Sequence, residues 1–286
     1  MTFYNVYDRL STKLIKTKMP EKITTAELFS EIRGTQVYRT YQQRAEILEK
    51  TRSKGEAIEA KSRAIGNSIL SLAEVESPAK SALYTMMGNV DPFVRAQAAL
   101  ERNRHAPFNQ KEPYLHDVIE FNHSVKTAID LNPSLGFSET AMLMANVRGA
   151  TYGPDEAKRF YGDIKPVLNG MRHELASSQI IDATAEFEVD YDRLVTPEDD
   201  EHGVDLWIRR IGDEQSFGID IKASETSAIK SREKSRHPAT IIWSHATDSD
   251  FGDGFRLPYA TAQQKADDMR YDLRRAYSST TQLSRV

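Results

Sequence analysis

Asp205, Asp220 and Lys222 are the residues of this chain whose types and spacing best suit chemistry. They stand in the stretch GVDLWIRRIGDEQSFGIDIKAS, Gly203 to Ser224, which reads as a β-hairpin. Val204 to Ile211 and Phe217 to Ala223 are rich in branched and aromatic residues, and Gly212-Asp213-Glu214-Gln215 between them are turn formers. With Asp213-Glu214 as a two-residue loop, Gly212 faces Gln215, Asp205 sits opposite Lys222, and Asp220 takes the neighbouring diagonal. Side chains alternate along a strand, so Asp205, Asp220 and Lys222 share one face. Leu206, Ile208, Phe217, Ile219 and Ile221 share the other, a plausible core surface. Two carboxylates held close repel each other and invite a cation between them. Magnesium prefers oxygen ligands and is commonly held by one or two carboxylates. Such an ion lowers the pKa of a bound water, and a neighbouring ammonium stabilises developing negative charge, so the chemistry in view is metal-assisted hydrolysis. A plain cross-strand ion pair between Asp205 and Lys222, worth under ~1 kcal/mol if exposed, would account for those two residues and leave Asp220 unexplained.

The elements that must position this face read as follows. Ile164 to Ile181 is a helix with Pro166 in its first turn, and it carries Glu174. Ala185 to Tyr191 alternates Phe187, Val189 and Tyr191 against Glu186, Glu188 and Asp190, a clear strand signal. The acidic run Thr196 to Gly203 is a turn. After the hairpin, Ser224 to Arg236 is the densest basic stretch, with Lys230, Arg232, Lys234 and Arg236. Ala239 to His245 reads as a buried strand, Asp248 to Gly254 as a polar loop, and Thr261 to Tyr277 as a final helix bearing Arg270, Arg274 and Arg275.

This order, with Asp205 as a first acid and Asp220-Ile221-Lys222 as a D-x-K element, resembles the PD-(D/E)XK nuclease superfamily. The resemblance covers the C-terminal part of the chain only, and Val204 stands where the family name puts proline. It implies a restriction-endonuclease-like domain with a central mixed β-sheet flanked by helices. It implies a Mg²⁺-dependent DNA endonuclease, with Mn²⁺ able to substitute, of a restriction, mobile-element or repair system. On that resemblance Asp205, Asp220, the Ile221 carbonyl and Glu174 are the metal ligands, and Lys222 acts on the attacking water or the developing charge. Glu174 either binds a second metal or orients the lysine, with Glu139 and Glu188 as substitutes. Lys230, Arg232, Lys234, Arg236, Arg270 and Arg274 become phosphate contacts, whose neutralisation would make binding salt-dependent. Neither Gln nor Tyr occurs between Ser224 and Pro238, which favours an endonuclease over the RecB-like exonuclease branch. A homodimer is the family's frequent arrangement. The alternative is a non-catalytic nucleic-acid- or protein-binding protein that retains the fold.

The chain of 286 residues is long enough for one large domain or two modest ones. A net charge of −4 advertises no nucleic acid, so a nuclease of this composition must concentrate its Lys and Arg locally. The absence of cysteine excludes disulfides and Cys-based metal sites or nucleophiles, and fits a cytoplasmic protein. No apolar run approaches a membrane span and no signal-peptide pattern opens the sequence. Lys13, Lys16, Lys18 and Lys22 make a basic arm, and Thr24 to Glu27 reads as a capping box. Val37 to Val75 and Ala79 to Asn103 read as helices, the second stretch broken around Gly88 to Pro92. Pro107 to Pro113 reads as a linker, followed by helices over Tyr114 to Leu131 and Ser138 to Val147. The expectation is therefore an all-helical region over 1–153, serving specificity, oligomerisation or partner binding, and a nuclease-like domain over 154–286.

Overall fold

In the computed structural model, which describes residues 25–51, 53–74, 76–235 and 240–283, eight helices precede the first strand among those residues. They are α1 (Thr25–Gly34), α2 (Gln36–Thr51), α3 (Lys54–Ala73), α4 (Pro78–Gly88), α5 (Val90–Arg102), α6 (Phe108–Leu131), α7 (Phe137–Tyr152) and α8 (Pro154–Ala183). Local signals place several of the starts. Ser53 and Glu56 form a capping box at α3, and proline opens α4 and α8, where its missing N–H is not needed. Apolar stripes turned inward make the first core, built around Ile69, Tyr84, Phe93, Phe121, Met144 and Ile164. The Phe93 and Phe121 rings stack there with centroids 4.1 Å apart. Within it, the buried Arg148 guanidinium donates to Asp91 at 2.6 Å and to Glu156 at 2.7 Å, which ties α5, α7 and α8 together. The basic arm and Thr24 lie outside the described residues.

Two expectations about breaks fail here. The stretch 107–113 is not a linker: α6 begins at Phe108 and carries Pro113 inside it. Nor does the helix read as Ile164 to Ile181 start there with Pro166 in its first turn: α8 opens at Pro154 and runs unbroken for 30 residues through Pro166. A proline inside a helix forfeits one backbone hydrogen bond. Burial of Leu115, Val118 and Phe121 on α6, and of Phe160, Ile164 and Leu168 on α8, outweighs that loss.

The rest of the chain is β1 (Phe187–Val189), α9 (Pro197–Glu201), β2 (Leu206–Arg210), β3 (Ser216–Lys222), α10 (Glu225–Arg232), β4 (Ile241–Trp243), α11 (Asp248–Phe251) and α12 (Tyr259–Leu283). The fold is thus mixed α+β, with a single four-stranded sheet among the described residues, ordered β1-β2-β3-β4. The first three strands are antiparallel and β4 runs parallel to β3. β1 and β4 are shorter than the stretches read as strands, Ala185 to Tyr191 and Ala239 to His245. Ile208, Phe217, Ile219 and Ile221 turn one face of the sheet inward, where α12 brings Met269, Leu273 and Ala276 and the end of α8 brings Ile180 and Ile181. The two cores meet along α8, which gives Phe160 to Met171 to the first and Ala176 to Ile181 to the second. No helix among the described residues is long and apolar enough to cross a membrane.

Candidate active site

The hairpin exists, but its register differs from the expected one. Leu206 faces Ile219, Trp207 faces Gly218 and Ile208 faces Phe217. The paired ladder ends at Leu206; just beyond it Asp205 donates its N–H to the Ile219 carbonyl at 2.9 Å, one residue out of that register, and its carboxyl lies within electrostatic reach of Asp220 and Lys222. The connection is a longer loop, 211–214, and not the two-residue turn. A slip of two residues returns each side chain to its own face, so the shared face survives while the partners change.

Local contacts fix both acids. Asp205 Oδ2 accepts the Ile221 N–H at 2.6 Å, so Ile221 holds the first carboxylate with its amide. Asp220 pairs with Lys222 on its own strand, the two side chains being 17% and 31% exposed. Asp220 Oδ1 is buried, and it is the oxygen that the Lys222 ammonium meets. Gly203, at φ 74°, turns the chain from α9 toward β2, and a Cβ there would stand 3.7 Å from Asp220 Oδ2. Across β3, Lys222 is in register with Trp243, whose indole lies 4.5 Å from the His245 ring.

Glu174 comes to the same place from α8. Its charge, with that of Asp220, adds to burial in pushing the Asp205 carboxyl well above the usual carboxylate range; the Ile221 amide and Lys222 oppose this only in part. Glu174 itself is engaged by a residue that belongs to none of the motifs read above. Lys126 of α6 donates to Glu174 Oε2 at 2.7 Å. Burial works against the Lys126 ammonium, but Glu174, Asp205 and Asp130 outweigh it and hold its pKa above the ordinary lysine value. Burial, Glu174 and Glu201 likewise raise Asp200, at the end of α9. The site is a cluster of carboxylates partly neutralised by two lysines, one from the sheet and one from the helical region.

Comparison with protein-family models, curated proteins and solved structures finds no match.

The donor set fits a hard cation in a limited way. Asp205 and Asp220 supply carboxylate oxygens of the kind Mg²⁺ prefers, although Asp220 Oδ1 is already met by the Lys222 ammonium. No three His, Cys, Asp or Glu side chains among the described residues are grouped so that they could hold a metal. Glu174 stands apart from the pair's direct contacts, held by Lys126. Glu188 is occupied elsewhere, accepting from Arg209 across the β1–β2 ladder at 2.7 and 2.9 Å.

The basic residues divide. Lys230 and Lys234 are exposed at and just beyond the end of α10, and Arg236 lies outside the described residues. Arg232 donates to the Ile241 carbonyl at 2.8 Å, and burial together with Arg275 lowers its pKa. Arg270 donates to the Thr184 carbonyl at 2.8 and 3.1 Å, and Arg274 to Glu186 at 2.6 and 2.9 Å. Those three arginines tie helices to the sheet's margins, with Arg274 still largely exposed, and Lys230 and Lys234 are the other exposed cations in the described part of the set.

A second constellation resembles a nucleophilic triad by type. His173 Nδ1 lies 2.6 Å from Ser244 Oγ, and its Nε2 lies 3.6 Å from Asp248. Ser244 is 0% and His173 2% exposed, so no substrate reaches the hydroxyl. Burial and Arg172 hold the imidazole below its ordinary pKa, in spite of Asp248. It is a core hydrogen bond joining α8 to the end of β4.

Proposed function

We propose that this chain is a divalent-metal-dependent nuclease that hydrolyses phosphodiester bonds in DNA, working from the exposed face of β2 and β3. The observation that carries the reading is the gathering of Asp205, Asp220, Lys222 and Glu174 within one another's electrostatic reach, with Asp205 tied to β3 through the Ile221 amide. In support stands the order helix, three antiparallel strands, helix, parallel strand, helix, which is what the PD-(D/E)XK resemblance implies. Asp205 and Asp220 would hold Mg²⁺, with Mn²⁺ able to replace it. When bound, the ion would supply an acidified water and neutralisation of the scissile phosphate. Ile221 fixes Asp205 through its amide. Lys222 is the cation nearest the pair and would meet the charge that develops on the phosphate. Lys230 and Lys234 would contact the backbone of the substrate without reading its sequence.

The test is cleavage of supercoiled plasmid in Mg²⁺, Mn²⁺ or EDTA by the wild type, Asp220→Ala and Lys222→Ala. Metal-dependent nicking or linearisation that both substitutions abolish is the expected result. A second reading, a binding protein that keeps this fold without cleaving, is favoured by the two ion pairs, Lys222–Asp220 and Lys126–Glu174, that occupy the acids without a metal. Failure of the folded wild type to cleave plasmid, single-stranded or branched DNA, or RNA would decide for it.

A further inference from the structure

The face of β2 and β3 that carries Asp205, Asp220 and Lys222 is crossed beside those residues by 190–203, the segment that joins β1 to β2 through α9. Three contacts hold this strap down. Trp207 shares the face of Asp205, two residues before it, and the Arg193 guanidinium lies over its ring, 3.1 Å from the centroid. Asp199 accepts from Trp207 Nε1 at 3.4 Å. Glu201 pairs with Lys111 of α6, whose side chain is only 12% exposed. So held, the strap sets Gly203 against Asp220 and brings Asp200 within electrostatic reach of Glu174. It carries Asp190, Asp192, Glu198, Asp199, Asp200 and Glu201 against a single arginine. Nothing apolar anchors it: no side chain from 190 to 203 is buried in either core, and Tyr191 and Leu194 are more than half exposed. Segments without buried apolar contacts are the ones that open most readily.

We propose that residues 190–203 are an autoinhibitory strap, which keeps nucleic acid off this face until it swings out. This rests on the reading given above, which brings a phosphate backbone to the same face. A polyanion approaching the closed strap meets a row of carboxylates beside Asp205 and Asp220, and like charges brought together oppose docking. With the strap out, those carboxylates leave the path and Lys222 faces the incoming phosphates. The apparent dissociation constant is the intrinsic one divided by the open fraction, so weakening a latch tightens binding. Wild type opens less often and is slowed, not silenced. The sign of the effect is decisive. Lys111 and Arg193 are cations, and losing a cation from a surface that merely attracts phosphate would weaken binding.

The experiment reads binding of fluorescein-labelled duplex and single-stranded DNA by anisotropy in EDTA, and plasmid cleavage in Mg²⁺. It uses the full chain as wild type, Lys111→Met and Arg193→Ala, with circular dichroism to verify folding. A lock is added in the double variant Lys111→Cys, Glu201→Cys: the chain has no cysteine of its own, so a bismaleimide with a disulfide spacer tethers these two positions alone. Each single variant is expected to bind DNA about three- to tenfold more tightly than wild type, and the tethered protein at least about tenfold more weakly than the same protein after dithiothreitol cuts the spacer. If one single variant does not fold, the other carries the same expectation, since the two latches lie on different elements. Unchanged or weaker binding by the folded variants, with wild type binding normally, overturns the strap alone, as does undiminished binding by the tethered protein. Tighter binding by the variants with no cleavage by any of them upholds the strap and removes the cleavage reading. No DNA binding by wild type or by any variant overturns both.

Discussion

A cation bound between Asp205 and Asp220 should stabilise the fold, and the size and pH dependence of that effect can be worked out. The perturbation is addition of Mg²⁺ to the wild type and to Asp205→Asn and Asp220→Asn. At about ten times its dissociation constant, a ligand that binds only the native state adds about 1.4 kcal/mol. For a domain of around 150–250 residues that corresponds to a rise in Tm of roughly 3–6 °C. The pH dependence has a definite sign. Burial, Glu174 and Asp220 hold the Asp205 carboxyl well above its usual pKa, so it keeps its proton to higher pH than an ordinary aspartate. The cation needs the carboxylate. Its stabilisation is therefore complete above that raised pKa, and below it the apparent affinity falls by up to about tenfold per pH unit. The assay is differential scanning fluorimetry or calorimetry with and without Mg²⁺, at mildly acidic and mildly alkaline pH. Both variants should lose the shift. Without metal, Asp205→Asn should melt at or above the wild-type temperature, because its amide oxygen still accepts the Ile221 N–H while the repulsion is gone. A Mg²⁺ shift retained in both variants, or one larger at acidic pH, would refute this account of the pair.

Three further outcomes follow from the same structure. Lys222→Met should keep the Mg²⁺-induced rise in Tm and lose plasmid cleavage by at least about a hundredfold, which steady-state nicking assays would read. Gly218→Ala should destabilise the protein by about 1–3 kcal/mol in urea unfolding, because the added Cβ would lie 2.9 Å from both Val204 methyl carbons, next to Asp205. His173 is held neutral by burial and Arg172, so its folded pKa lies below the unfolded one. The unfolded state then binds more protons between those values, and stability falls as pH drops below about 6.5; His173→Gln should flatten that slope of Tm against pH.

What the sequence disclosed follows from how far its signals reach. Strand alternation placed Asp205, Asp220 and Lys222 on one face, because alternation depends only on parity. It could not name their partners, since 211–214 carries turn formers compatible with two loop lengths, and only tertiary packing chose the longer one. Lys126 was invisible for a related reason: helix periodicity says which residues share a face, not what that face meets 48 residues later. Pro113 and Pro166 misled because local propensity penalises them without weighing the buried neighbours that hold their helices straight through. The density of basic residues around Arg232 pointed to phosphate, yet Arg232, Arg270 and Arg274 all have protein acceptors. Charge density in a sequence is blind to carbonyls and carboxylates brought in from other elements.

The passage of α8 through both cores bears on how this molecule can be dissected. Its 30 residues make a rod of about 45 Å. A cut at residue 153 would strip Phe160, Ile164, Leu168 and Met171 from the helical core and leave that fragment with an open apolar trough. The complementary fragment would carry those same side chains bare on the outside of its first helix. Each piece would be prone to aggregate for reasons unrelated to its activity. Loss of function on truncation would then say nothing about which half does the work, and point substitutions in the intact chain are the sound way to divide the labour between the two.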